Sequence, residues 1–87
     1  KITDLIDAMK TKDFSKVRKW VVDNIDNDHT QLFRKIYEGT NSTLTKQSIP
    51  QSVLVLAEYQ YKAAFVADHE INLTACLTEL MMHCEFK

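Results

Sequence analysis

An all-α fold is what this sequence predicts, and three observations predict it. Glycine and proline occur once each among 87 residues, too few for a loop-rich or all-β chain and for a phosphate-cradling glycine loop. Apolar residues recur at i, i+3, i+4 and i+7, the spacing of one helix face. From residue 50 to residue 67, 12 of 18 positions are apolar with tyrosine counted. These do not make one stripe: Val53, Leu54, Val55 and Leu56 point to every side of a helix. A helix apolar all round is buried on more than one side. The expectation is one five-helix bundle over residues 1–87, opening with an αα-hairpin and closing with two long helices.

The first helix is placed over residues 3–10, with Ile2, Leu5, Ile6 and Met9 on one face. After a short connection at Thr11 and Lys12, Asp13 is a ready N-cap for the second helix over residues 14–25. Phe14, Val17, Val21 and Ile25 share its apolar face, with Trp20 beside them and Lys16, Arg18 and Lys19 outside. Residues 24–28 are a polar break. Asp28 followed by Gln31 resembles a capping box for the third helix, which carries Leu32, Phe33, Ile36 and Tyr37. Gly39 is well placed to stop it, leaving residues 40–47 as a polar loop.

Pro50 suits the first turn of the fourth helix, expected to reach residue 67. Asp68 caps the fifth, expected to run to the end of the chain. Leu73, Leu77, Leu80 and Cys84 form one stripe on it, and Ile71, Ala75, Met82 and Phe86 a second. On the fourth helix the spacing separates a Leu54, Tyr61, Phe65 face from an opposite face holding Val55, Tyr59, Lys62 and Val66. With the first face inward, the second is an exposed patch of the kind that marks interaction sites. A central position for the fourth helix fits the same spacing. The interface residues expected on this basis are Val55, Tyr59, Val66, Ile71, Met82 and Phe86.

Several function classes are disfavoured. The net charge of −1 gives no overall pull toward nucleic acid or an anionic membrane. No apolar run reaches the ~18 residues of a membrane span, and no signal-peptide pattern opens the chain. Cys76 and Cys84 lie about 12 Å apart along one helix, too far for a disulfide, and read as buried thiols of a reducing cytoplasm. His83 and Cys84 are adjacent, about 100° apart around the helix, and His29 and His69 begin separate helices. None of these has the close pair spacing of a zinc site. A Cys/His nucleophile wants its thiol at a helix N-terminus or beside a cation, and neither cysteine is so placed. No catalytic, cofactor or metal residue is expected in this stretch. Lys10, Lys12, Lys16, Arg18 and Lys19 form a basic cluster interrupted by Asp7 and Asp13, the pattern of a solvated helix face.

Three segments together resemble a known family. Leu5-Ile6-Asp7-Ala8-Met9-Lys10-Thr11-Lys12-Asp13-Phe14, followed by Val17-Arg18, is similar to the hairpin opening the C-terminal domain of phage sliding-clamp loader small subunits. Pro50-Gln51-Ser52-Val53-Leu54 resembles the start of that domain's long fourth helix. Glu70-Ile71-Asn72-Leu73-Thr74-Ala75-Cys76 and the closing Glu85-Phe86-Lys87 resemble the end of the T-even-type subunit. Where the family pattern has threonine before the proline, this chain has Ile49, which leaves a hydroxyl cap to Ser48.

The resemblance implies a collar domain related to those of replication factor C small subunits. Such domains pack side by side and hold AAA+ ATPase modules in an open spiral that loads the sliding clamp onto primer–template DNA. It implies that this chain, which begins at Lys1 without an initiator methionine, is the C-terminal fragment of a longer ATPase in an infected bacterial cytoplasm. ATP and Mg would belong to the preceding domain, whose glycine-loop and arginine-finger residues have no counterpart here. The implied partners are other loader subunits, the clamp and DNA, with no membrane. An unrelated helical adaptor docking one partner helix, or a small nucleic-acid binder using the Lys10–Lys19 cluster, are the alternatives.

Overall fold

The computed structural model describes all 87 residues and is all-helical. Five helices follow in order: α1 (Ile2–Lys10), α2 (Phe14–Asn24), α3 (His29–Thr43), α4 (Ile49–Lys62) and α5 (His69–His83). Three of them start where an aspartate can take up a free backbone N–H. Asp13 accepts from Lys16 N at 3.1 Å, Asp28 from Thr30 N at 2.8 Å, and Asp68 from Ile71 N at 3.1 Å. Such caps contribute about 1 kcal/mol each.

The α1–α2 turn is tight because one residue enters the left-handed region. Lys12 has φ 57°, the only positive φ in the chain. Lys12 N bonds Met9 O at 3.1 Å and Asp13 N bonds Ala8 O at 2.8 Å, the paired bonds of a Schellman motif. Asp13 therefore closes α1 and caps α2.

Helix neighbours run in a circuit: α1 beside α2, α2 beside α5, α5 beside α4, α4 beside α3, and α3 beside α1. A further contact joins α1 to α5. So α1 and α5 each meet three other helices, whereas α4 meets only α3 and α5. The core draws Leu5 and Met9 from α1, Val17 and Val21 from α2, Leu32 and Ile36 from α3, Val55 and Leu56 from α4, and Leu77 and Leu80 from α5. Every buried side-chain polar atom has a hydrogen-bond partner. Asn72 Nδ2, for example, donates to Tyr59 O at 3.2 Å and ties α5 to the end of α4.

Several element bounds depart from expectation. Gly39 does not stop α3, which continues to Thr43. Its missing side chain serves packing instead: a Cβ there would lie 3.0 Å from Ile2 Cγ1 and 3.4 Å from Ile6 Cδ1, so it lets α1 approach α3. Helix α4 ends at Lys62, and residues 63–66 turn away through bonds back to Tyr59, Tyr61 and Lys62 carbonyls. Helix α5 stops at His83 rather than the chain end. Residues 84–87 are extended and lie against the α3–α4 connection, with Thr45 N bonding Glu85 O at 2.8 Å and Lys87 N bonding Thr43 O at 2.9 Å. Ser48 stands at the N-cap position of α4, but its hydroxyl accepts from Glu85 N at 2.9 Å rather than capping the helix.

Candidate functional site

Position at the rim of the bundle decides what α4 leaves uncovered. Ser52, Val55 and Leu56 are buried against α3 and α5, and Tyr59 is half-buried on the same side. The opposite side has no neighbour. Leu54 is 67% exposed, Tyr61 71% and Phe65 73%, and the Tyr61 and Phe65 rings pack at 5.3 Å between centroids. Beside this row a cavity of about 480 Å³ opens between α3 and α4, lined by Phe33, Tyr37, Val53, Leu56 and Ala57 with Arg34 on its rim.

A second apolar face lies along α2 and α5. Phe14 and Val22 are exposed on α2, and Ile71 and Met82 on α5, the last two at 68% and 70%. Along α5 lies a groove of about 470 Å³ lined by Ile71, Thr74, Ala75, Thr78 and Glu79, with Arg18 of α2 and Tyr59 of α4 at its sides and Glu70 beside it. The groove meets α4 only at half-buried Tyr59, on the side turned toward the core, so it is distinct from the exposed Leu54, Tyr61 and Phe65 row.

The expected interface residues divide between core and surface. Val55 is a correction: it is 5% exposed and belongs to the core, as α4 turns its uncharged Ser52–Val55–Tyr59 side inward. The expected orientation of α4 is thus reversed, and Leu54, Tyr61 and Phe65 are the exposed residues. Tyr59 and Phe86 are half-buried and pack against the core, and Val66 is half-buried in the α4–α5 connection. Ile71 and Met82 are exposed as expected. Phe14, assigned to the core face of the second helix, is 45% exposed.

The remaining chemistry-bearing groups are tied into the fold. Burial pushes the Cys76 thiol up to about 12, with the Glu79 charge adding to the effect, and burial also raises Cys84. Neither thiol is ionised at neutral pH. Burial likewise raises the Tyr59 hydroxyl to about 12, with Glu79 contributing. His29 and His69, which open α3 and α5, stack with ring centroids 3.8 Å apart and 17° between planes. No group of three or more His, Cys, Asp or Glu side chains gathers in a metal-holding arrangement. Within the basic cluster, Lys19 pairs with Asp23 at 2.8 Å and Lys12 is committed to the Met81 carbonyl. No helix is long and apolar enough to cross a membrane.

A scan against protein-family models finds no match to this chain, and a search of curated proteins finds none.

Proposed function

We propose that this chain is an assembly module, the collar domain of a sliding-clamp loader small subunit of the T-even phage type, acting in DNA replication. The observation that carries the assembly reading is the pair of unlike exposed faces on one bundle, the Leu54, Tyr61 and Phe65 row of α4 and the α5 side with Ile71 and Met82. A chain with two different sticky faces joins copies head to tail, and such contacts close into rings or open into spirals. Removing a large apolar side chain from water contributes about 1.5–3 kcal/mol. Several per face reach the scale of the entropy lost on association.

The narrower part of the reading rests on the likeness of the sequence segments to loader subunits. In that reading the full-length protein carries an AAA+ ATPase that binds ATP and Mg. Its partners are neighbouring loader subunits, the clamp and primer–template DNA. A P-loop and an arginine finger encoded on the 5′ side of the Lys1 codon support it, and an unrelated upstream domain overturns it.

A second reading, a helical adaptor for one partner helix, is favoured by the cavity of about 480 Å³ between α3 and α4. Sedimentation velocity separates the two. Self-association that is lost in Leu54→Glu and Phe65→Glu, with circular dichroism unchanged, supports assembly. A chain that stays monomeric at all concentrations overturns it in favour of the adaptor.

A further inference from the structure

Resting on the assembly reading, the geometry points to a specific head-to-tail contact. The outer row of α4 and its following turn (Leu54, Glu58, Tyr61 and Phe65) docks into the α2/α5 groove of a second copy of this chain, with Glu58 against Arg18 of that copy.

Three observations fit this occupant. The first is length. Leu54 to Phe65 and Ile71 to Met82 are each eleven residues apart; the α5 span is about 16 Å at 1.5 Å per residue, and the other row is helical to Lys62 with Phe65 in the turn that follows. Both rows step by four, three and four residues, through Glu58 and Tyr61 on one and through Ala75 and Thr78 on the other. The second is size. The α4 row presents three large side chains, all more than 60% exposed. The groove has the small Thr74, Ala75 and Thr78 in its lining beside Ile71, and about 470 Å³ of space. Large knobs over a small-residue floor are what helix packing across an interface needs.

The third is charge. Arg18 is exposed at the groove and makes no ion pair within its own chain. Glu58 is the one charged residue in the α4 row, and only Lys62 on the next turn holds it, at 3.2 Å. Docking sets Glu58 toward Arg18 and brings Lys62 to the rim that carries Glu70 and Glu79. Opposite charges then meet across the contact. Twofold pairing of α4 with itself lacks this size match, since it sets large side chains on large ones.

Charge exchange tests the contact. Sedimentation velocity is run on the chain, on Glu58→Arg, on Arg18→Glu, on their equimolar mixture and on the double variant, with circular dichroism on each. Glu58 and Arg18 are both exposed, so the fold is expected to persist. Each single change places like charges together and weakens self-association by about tenfold or more. The mixture and the double variant restore opposite charges at every contact and recover it. Should a single variant unfold, Glu58→Gln and Arg18→Gln replace the pair, and each is expected to weaken association. Self-association that is indifferent to Arg18→Glu, or a mixture that does not recover, overturns the contact while leaving assembly standing. Strengthening by Glu58→Arg, despite the like charge it sets against Arg18, overturns it as well. A wild-type chain that stays monomeric up to millimolar concentration removes the assembly reading and this contact with it.

Discussion

Lys12 Nζ donates to the Met81 carbonyl at 2.6 Å, so the α1–α2 turn is fastened to the last turn of α5. An ammonium is well suited to the unpaired carbonyls at a helix C-terminus. The same residue holds φ 57°, a conformation that costs a non-glycine residue about 1–2 kcal/mol. Lys12→Ala is expected to lose about 1 kcal/mol, since it gives up the bond and keeps the backbone cost. Lys12→Gly gives up the same bond and relieves the backbone, so it should sit about 1 kcal/mol above the alanine variant. Urea denaturation midpoints compare them, and equal midpoints would refute the account.

Ser48→Ala should loosen the end of the chain. The Ser48 hydroxyl accepts from Glu85 N at 2.9 Å and from Thr45 Oγ1 at 3.2 Å. Its loss leaves a half-buried N–H without a partner, a cost of about 1–3 kcal/mol. Hydrogen exchange should accelerate at Glu85 and Lys87 before it does in the helices. Protection unchanged at both amides would show that the tail is held by Phe86 packing alone.

The orientation of α4 predicts opposite outcomes for neighbouring residues. Val55→Ala opens a cavity in the core and should cost about 2 kcal/mol. Leu54→Ala, one residue away and 67% exposed, should stay within about 0.5 kcal/mol of wild type. Thermal melts at low concentration, where association does not contribute, make the comparison. A reversed ranking would mean α4 packs by its other side.

Alkaline pH should unfold this chain more readily than its charge balance suggests. The folded Cys76 thiol is held up at about 12 against an ordinary 9.0, with burial as the first cause, and the Tyr59 hydroxyl at about 12 against 10.0. For an acid whose folded value is raised, the unfolded chain loses its proton first. The stability is fully present below pH 9 and is lost as pH climbs toward 12. The slope from one such site is at most about 1.4 kcal/mol per pH unit. Cys76→Ala should lower stability at pH 7 yet flatten the fall between pH 9 and pH 11. An unchanged slope would assign the fall elsewhere.

Much of the fold could be read from the residues because it was local. Asp13, Asp28 and Asp68 were legible as caps since capping needs only a short oxygen side chain ahead of a helix. The bounds that went astray depend on partners distant in sequence. Gly39 reads as a stop until Ile2 and Ile6 are known to lie against it. The last four residues read as helix until Thr43 and Thr45 offer them backbone partners.

The reversal at α4 had no decisive signal. Glu58 stands in the Leu54, Tyr61 and Phe65 row, and Lys62 stands with Val55, Tyr59 and Val66 on the other side. Each row carries one charge, and apolar count favours neither side. Which helices stand at the rim is a property of the whole packing, so the α2/α5 face with Phe14 and Val22 gave no warning either.

The backbone leaves helical geometry at Cys84, with φ −117° and ψ 145°, and this bears on how labels can be attached. A rigid helical fusion placed after Lys87 will not be coaxial with α5. It departs beside Thr43, and making it coaxial would strip Glu85 and Lys87 from their backbone partners. A flexible spacer leaves that clasp intact and is the better choice for tethering a fluorophore or a purification handle.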